Sequence, residues 1–218
     1  MAQAQQTNLM PVPTSVSLNK EHYQLTDNFT IKITGLADKR LYKEASRFMQ
    51  RLSEKTGLFF KTWEIPDVSH NPSAALKIHS IKKGVVQLDM EESYTLSVDN
   101  SEIKINAASD IGAIRGLETL LQLVESDPNG FYFQGAYISD NPRFAWRGLL
   151  LSQPYHFMPM DVIKRTLDAM AMVKMNVFHF YISDDQGYTI ESKVFPTLHE
   201  KASGGNYFTH VQLAEIIE

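Results

Sequence analysis

Two adjacent carboxylates, Asp184 and Asp185, followed by Gln186 and Gly187, end a short apolar run made of Val177, Phe178, Phe180 and Ile182. A β run that stops abruptly in acids and a glycine sets those acids at the carboxyl end of a strand, where α/β folds collect their chemistry. Carboxylates in such a place can move protons, orient a substrate or ligate a metal. A second polar group, Ser152, Gln153, Tyr155 and His156, follows the apolar run 146–151, and His179 lies inside the later run. In a right-handed βαβ unit the two loops open at the same end of the sheet, so both groups can share a pocket. Successive side chains of an extended backbone alternate faces, so Asp184 and Asp185 divide their roles, one toward the pocket and one holding the turn. Blander readings stand beside this one. Asp-Asp-Gln-Gly is also ordinary turn chemistry. His179 also reads as a hydrogen-bonded core histidine, and His156 as a partner for either aspartate or a packed loop residue. A metal held by His156, His179, Asp184 and Asp185 would have no i, i+4 His pair or other ligand spacing behind it. No metal and no cofactor are expected.

The elements that must position these groups follow a βαβ pattern. Residues 146–151 and 177–182 are near-continuous apolar runs, and between them residues 161–174 carry Ile163, Leu167, Met170 and Val173 on one helical face. A further helix starts at Thr209, an N-cap with Gln212 in the capping-box position, and continues through Leu213 and Ile216. Two βα units cannot close a parallel sheet, so the expectation is that this pattern continues in a longer protein.

Before residue 141 the pattern is different. Residues 29–33 alternate as a half-buried strand does, and a helical pattern from Asp38 through Leu41, Ala45, Phe48, Met49 and Leu52 is stopped by Gly57. Residues 76–81, 93–98 and 102–107 alternate again, the last two flanking the turn cluster Asp99, Asn100 and Ser101, which predicts antiparallel pairing. Ser109 caps a second helical pattern, Ile111, Ile114, Leu117, Leu121 and Val124, which ends at Asp127 and Pro128. Residues 131–138 form one more strand, and Ser139, Asp140, Asn141 and Pro142 read as a hinge. The expected division is a processed or disordered start at 1–8, an α+β domain at 9–140 and a second domain at 141–218.

Composition narrows the function classes. With 218 residues, 43% hydrophobic and 11% aromatic, the chain buries one or two ordinary cores. A net charge of −4 and the absence of Lys/Arg runs argue against nucleic acid as a partner. There is no cysteine, so thiol nucleophiles and disulfides are excluded. No apolar run approaches the roughly 18 residues that a membrane span needs. Ala2, Gln3 and Ala4 before Gln5 look like the stub of a small-residue cleavage site, and the expectation is an exported protein: periplasmic, cell-surface or secreted.

Pro142 to Gly148, then His156 and Phe157, then a helix with Ile163, Lys164, Arg165, Asp168, Met170, Ala171 and Lys174, resemble the start of the barrel in family 20 glycoside hydrolases, the β-N-acetylhexosaminidases. Asn176, Phe178, His179, Asp184 to Tyr188, Glu191, Pro196 and Leu198 continue the resemblance in order and spacing. The earlier part is similar to that family's accessory domain in Met10, Pro11 and Pro13, in residues 94–98, and above all in Gly112, Arg115, Gly116, Leu117 and residues 119–123. The resemblance implies an α+β accessory domain, with an antiparallel sheet and helices on one face, followed by the first two βα units of a TIM (β/α)8 barrel. It implies a glycan substrate, an oligosaccharide or glycoconjugate carrying a terminal β-linked N-acetylhexosamine. It also implies substrate-assisted retaining hydrolysis, in which the sugar's own acetamido oxygen attacks the anomeric carbon. The family's acid glutamate and the aspartate before it belong to a later barrel strand, so the resemblance implies that the isolated chain is inactive.

Asp184 matches the family aspartate that tunes this acid through a relay; Tyr155, His156, His179 and Asp185 fall on the substrate side. Departures matter as well. Where the family usually has Asp-x-Ser-Arg-His-Phe, this chain has Ser152, Gln153, Pro154, Tyr155, His156 and Phe157. Tyr155 thus stands in place of an arginine that grips sugar hydroxyls, a multi-donor contact that a phenol cannot reproduce. Phe180 and Tyr181 stand where Trp and His are common, and Tyr188 and Thr189 where Trp and Arg are. A noncatalytic carbohydrate-binding or scaffold homologue is the alternative.

Overall fold

The computed structural model describes residues 7–61, 65, 73–185 and 187–217. It divides into two compact units, Met1–Ala145 and Trp146–Glu218. Gln186, and most of the expected 1–8 segment, lie outside the described residues.

In the first unit the elements run β1 (Ser15–Gln24), β2 (Ile31–Gly35), α1 (Lys39–Thr56), β3 (Leu76–Lys82), β4 (Tyr94–Val98), β5 (Ile103–Ser109), α2 (Asp110–Gln122), β6 (Val124–Asp127) and β7 (Gly130–Asp140). The sheet order is β1-β7-β4-β5-β3-β2, with β6 on β7. The expected antiparallel sheet is in fact mixed. β2 and β3 pair in parallel, as do β3 and β5, because α1 carries the chain back over the sheet before β3 begins. The β4-β5 hairpin is antiparallel, and Asp99 Oδ1 accepts the Ser101 and Glu102 N–H groups at 2.8 and 2.9 Å to form its turn.

Alternation puts Leu76, Ile78, Leu96, Val98, Ile103 and Ile105 on one buried face, joined by Leu41, Ala45, Phe48, Met49 and Leu52 of α1. Gly57 ends α1 in the left-handed region at φ 71°, its N–H donating to Ser53 O. Ser109 Oγ accepts the Gly112 N–H, the expected cap of α2. That helix is shorter than its apolar pattern. It ends at Gln122, and residues from Val124 on are strand, because Asp127, Asn129 and Gly130 make a turn that pairs β6 with β7. β1 alternates from Ser15 to Asn19, with Val16 and Leu18 against the core, and loses the alternation where its register on β7 shifts between Leu18 and His22.

The second unit contains β8 (Gly148–Ser152), α3 (Met160–Met172), β9 (Val177–Tyr181), β10 (Ser183–Asp184), β11 (Gly187–Tyr188), α4 (Pro196–Ala202) and α5 (His210–Ile217). β8 and β9 are parallel with α3 between them, the expected βαβ unit. The first strand starts two residues later than its apolar run, leaving Trp146 exposed. Gln212 Oε1 accepts the Thr209 N–H while Gln212 N–H donates to Thr209 Oγ1, the capping box read from the sequence.

Candidate active site

Reciprocal hydrogen bonds lock the start of the two parallel strands. Arg147 N–H donates to Asn176 Oδ1 at 2.9 Å, Asn176 N–H returns to Arg147 O at 2.9 Å, and Arg147 Nε–H reaches Lys174 O at 2.8 Å. Lys174 sits in the left-handed region at φ 59°, where α3 turns into β9. Three residues of the family-like motif therefore build the scaffold rather than the site.

The register pairs Leu149 with Phe178, Leu150 with His179, Leu151 with Phe180 and Ser152 with Tyr181. Alternation sorts these onto two faces. Phe178 and Phe180 stack at a centroid distance of 5.3 Å, and Phe180 meets the fully buried Phe208 at 5.3 Å. His179 and Tyr181 share the opposite face, 6.3 Å apart, beside Leu150, which is 54% exposed. His179 is exposed there, and the more covered face of β9 is the one carrying the phenylalanines.

At the carboxyl ends, Gln153 N–H donates to Tyr181 O and continues the pairing. The Gln153 side chain, 1% exposed, turns inward, and its Oε1 accepts the Met158 N–H at 2.8 Å, which folds the loop carrying Tyr155 and His156. Ser152 Oγ and Gln153 Nε2 are buried without a partner among the described residues. β10 and β11 form a two-rung hairpin with Asp185 at its turn. A Cβ on Gly187 would stand 3.1 Å from Ala202 O, a tight contact at the end of α4, and at ordinary van der Waals distance, 3.6 Å, from Pro154 O in the loop after β8.

Asp184 is the centre of this cluster. Its Oδ1 accepts the Asp185 N–H at 2.7 Å, and its Oδ2 accepts the Tyr181 hydroxyl at 3.1 Å. The Tyr155 hydroxyl also hydrogen-bonds to it. The Asp185 backbone N–H foremost, and then the two phenols, hold the Asp184 carboxyl below the usual carboxylate range, against partial desolvation. Both phenols are pushed above their ordinary range, first because the Asp184 carboxylate takes their protons' hydrogen bonds. A carboxyl so held is an anion at neutral pH. It is suited to orienting a donor or a cationic neighbour and unsuited to donating a proton itself.

The structure thus brings Tyr155, Asp184 and Asp185 together. His156 is exposed, and neither it nor His179 hydrogen-bonds to either carboxylate among the described residues. Among the described residues no three His, Asp or Glu gather in a way that could hold a metal. Tyr181 and Gln153 are the residues that sequence reasoning undervalued. The signal for Tyr181 was its period-two relation to His179, three positions before Asp184.

Residues 9–123, more than half the chain, match the family described as beta-acetyl hexosaminidase like, and residues 144–218 match the glycosyl hydrolase family 20 catalytic domain. The chain belongs to glycosyl hydrolase family 20. It resembles the X-ray structure of Flavobacterium johnsoniae chitobiase with a TM-score of 0.93 and 47% identity, over 100% of this chain and 33% of that one. The family 20 β-N-acetylhexosaminidase of Streptomyces coelicolor A3(2) superposes with a TM-score of 0.76 at 26% identity, over 96% of this chain and 42% of that one. Among curated relatives, beta-hexosaminidase 1 of Arabidopsis thaliana is 32% identical over 228 residues, 96% of this chain and 42% of its own length. The alpha subunit of rat beta-hexosaminidase is 39% identical over 132 residues, 60% of this chain and 25% of its own. The chain therefore spans between a quarter and about two fifths of the relatives' lengths.

Proposed function

We propose that this chain supplies the accessory domain and the first two βα units of a TIM barrel to a β-N-acetylhexosaminidase-like glycosidase. The observation that carries this is the Asp184 carboxylate, held ionised by Asp185, Tyr181 and Tyr155 at the carboxyl end of the parallel strands. Hydrolysis is substrate-assisted and retaining. The acetamido oxygen of the bound sugar attacks the anomeric carbon while an acid glutamate elsewhere in the barrel protonates the leaving oxygen. Asp184 is a positioning residue for that acid: a nearby fixed anion disfavours a second negative charge and keeps the acid protonated to higher pH. The division into a domain ending near Asp140 and a barrel portion from Asn141 belongs to this proposal, as do a glycan substrate and export from the cytoplasm. His156, His179 and Asp185 are its substrate-side residues.

Tyr155 favours a variation on this reading. Its hydroxyl is engaged by Asp184, so it cannot replace the multi-donor grip of an arginine on sugar hydroxyls. Release of a disaccharide or of a substituted hexosamine fits such a site, and so does a homologue that binds glycans without cleaving them. The test is the full-length protein on a panel of p-nitrophenyl β-hexosaminides and β-disaccharides. Hydrolysis is expected, with kcat falling on the order of 100-fold in Asp184→Asn, a share of what general acid catalysis contributes. The alkaline limb of the pH profile should move to lower pH in that variant, because the neighbouring negative charge is gone. Binding without turnover across the panel would favour the noncatalytic reading.

A further inference from the structure

The sheet of the first unit packs its core on one face only, and the other face presents a polar row. The register sets Ser15, Ser139, Thr95 and Asn106 side by side across β1, β7, β4 and β5. Over this row lies a concavity of about 280 Å³, whose lining includes Thr14, Ser93, Thr95, Asn106, Ser139 and Asn141. These side chains are hydroxyls and amides, groups that both donate and accept hydrogen bonds. The side chains of Asn106, Ser139 and Asn141 have no hydrogen-bond partner among the described residues. Asp140, which also lines the concavity, has its carboxylate engaged by Thr14 N–H and the Tyr94 hydroxyl, and no Lys or Arg lines it. Two residues before Ser139 on the same face of β7 stands Tyr137, with 56% of its surface exposed.

The lining decides the ligand class. A phosphate or sulfate would need cationic donors, and the charge present is negative. An apolar ligand would cover these hydroxyls and amides without returning their hydrogen bonds, a desolvation cost that a polyol avoids. A sugar ring carries hydroxyls that donate and accept at once, and its C–H face packs on an exposed aromatic ring such as Tyr137. We propose that this concavity is an accessory binding site for one residue of a neutral glycan, formed wholly by the first unit.

The proposal goes beyond hydrolysis at Asp184 and is tested separately from it. Amide NMR spectra of the 15N-labelled 218-residue chain are recorded while N,N′,N″-triacetylchitotriose, and in a second series cellotriose, is added. Saturable shifts at Thr95, Asn106, Ser139 and Asn141 with at least one glycan are expected. Asn106→Ala and Ser139→Ala should each weaken that binding roughly 3- to 10-fold, the loss of one net hydrogen bond. Both side chains are at the surface, so the variants' spectra should remain those of the folded chain. Asp184→Asn should leave the shifts unchanged. The site is refuted if neither glycan moves these amides, if the shifts cluster instead around Asp184, or if the alanine variants bind as the parent does.

Discussion

Asp184 is an anion by construction, since three groups direct N–H or O–H donors at it. Its folded pKa lies below the ordinary value of about 3.9. Its contribution to stability is therefore present above that ordinary value and is lost as pH falls through the lower folded one. The group is half-exposed, so this contribution is small and shrinks further with salt. Tyr181→Phe removes the donor 3.1 Å from Oδ2 and should raise the Asp184 pKa toward 3.9, a shift that carboxyl 13C NMR of the chain in acid would read. Tyr155→Phe should act in the same direction. If neither variant moves the titration, the phenols do not set this charge. Sequence alone separates Asp184 from Asp185 by alternation, and it flags Tyr155 as a departure from the family. The phenol pair was hidden because it depends on a loop folded by the buried Gln153, a contact that no local pattern encodes.

At the level of elements, α2 shows why a run of glycine and small residues marks the accessory domain. A Cβ on Gly112 would lie 2.4 Å from Ser93 O and 3.1 Å from Glu92 C, backbone atoms that cannot rotate away. The same segment holds Glu92, whose carboxylate accepts from Arg115 Nε at 2.6 Å in a buried pair. Gly112→Ala gains about 1 kcal/mol of helix propensity. Against this stand an overpacking cost of about 1–3 kcal/mol and about 1 kcal/mol for the strained Ser109 cap. Net destabilisation of about 1–3 kcal/mol is expected, read as a lower urea midpoint with an unchanged slope. An equal or higher midpoint would show that β4 and α2 yield more easily than their packing implies. The helices and the hairpin were legible because period and caps coincide with packing, as at Gly57 and Ser109. The parallel pairing of β3 was not, since strand direction follows from the path over α1 and leaves no mark in residues 76–82.

The two units differ in how completely they bury their strands, and the molecule as a whole should unfold unevenly. β5 lies between β4 and β3, and Ile103, Ile105 and Ala107 are buried along it. β8 and β9 pair only with each other among the described residues, and none of their residues is fully buried. Two strands alone are marginally stable in water, and exposed backbone hydrogen bonds open at low free-energy cost. Amide hydrogen exchange in the 218-residue chain should therefore divide at the unit boundary. The amides of β3, β4 and β5 should exchange only on global opening of the first unit, and those of Leu149–Leu151 and Phe178–Phe180 orders of magnitude sooner. The locked strand starts give a finer expectation within the second unit: Asn176 N–H, bonded to Arg147 O, should outlast the amides of the β10-β11 hairpin. Equal protection in β5 and β9 would mean that the second unit draws stability from contacts beyond its own sheet.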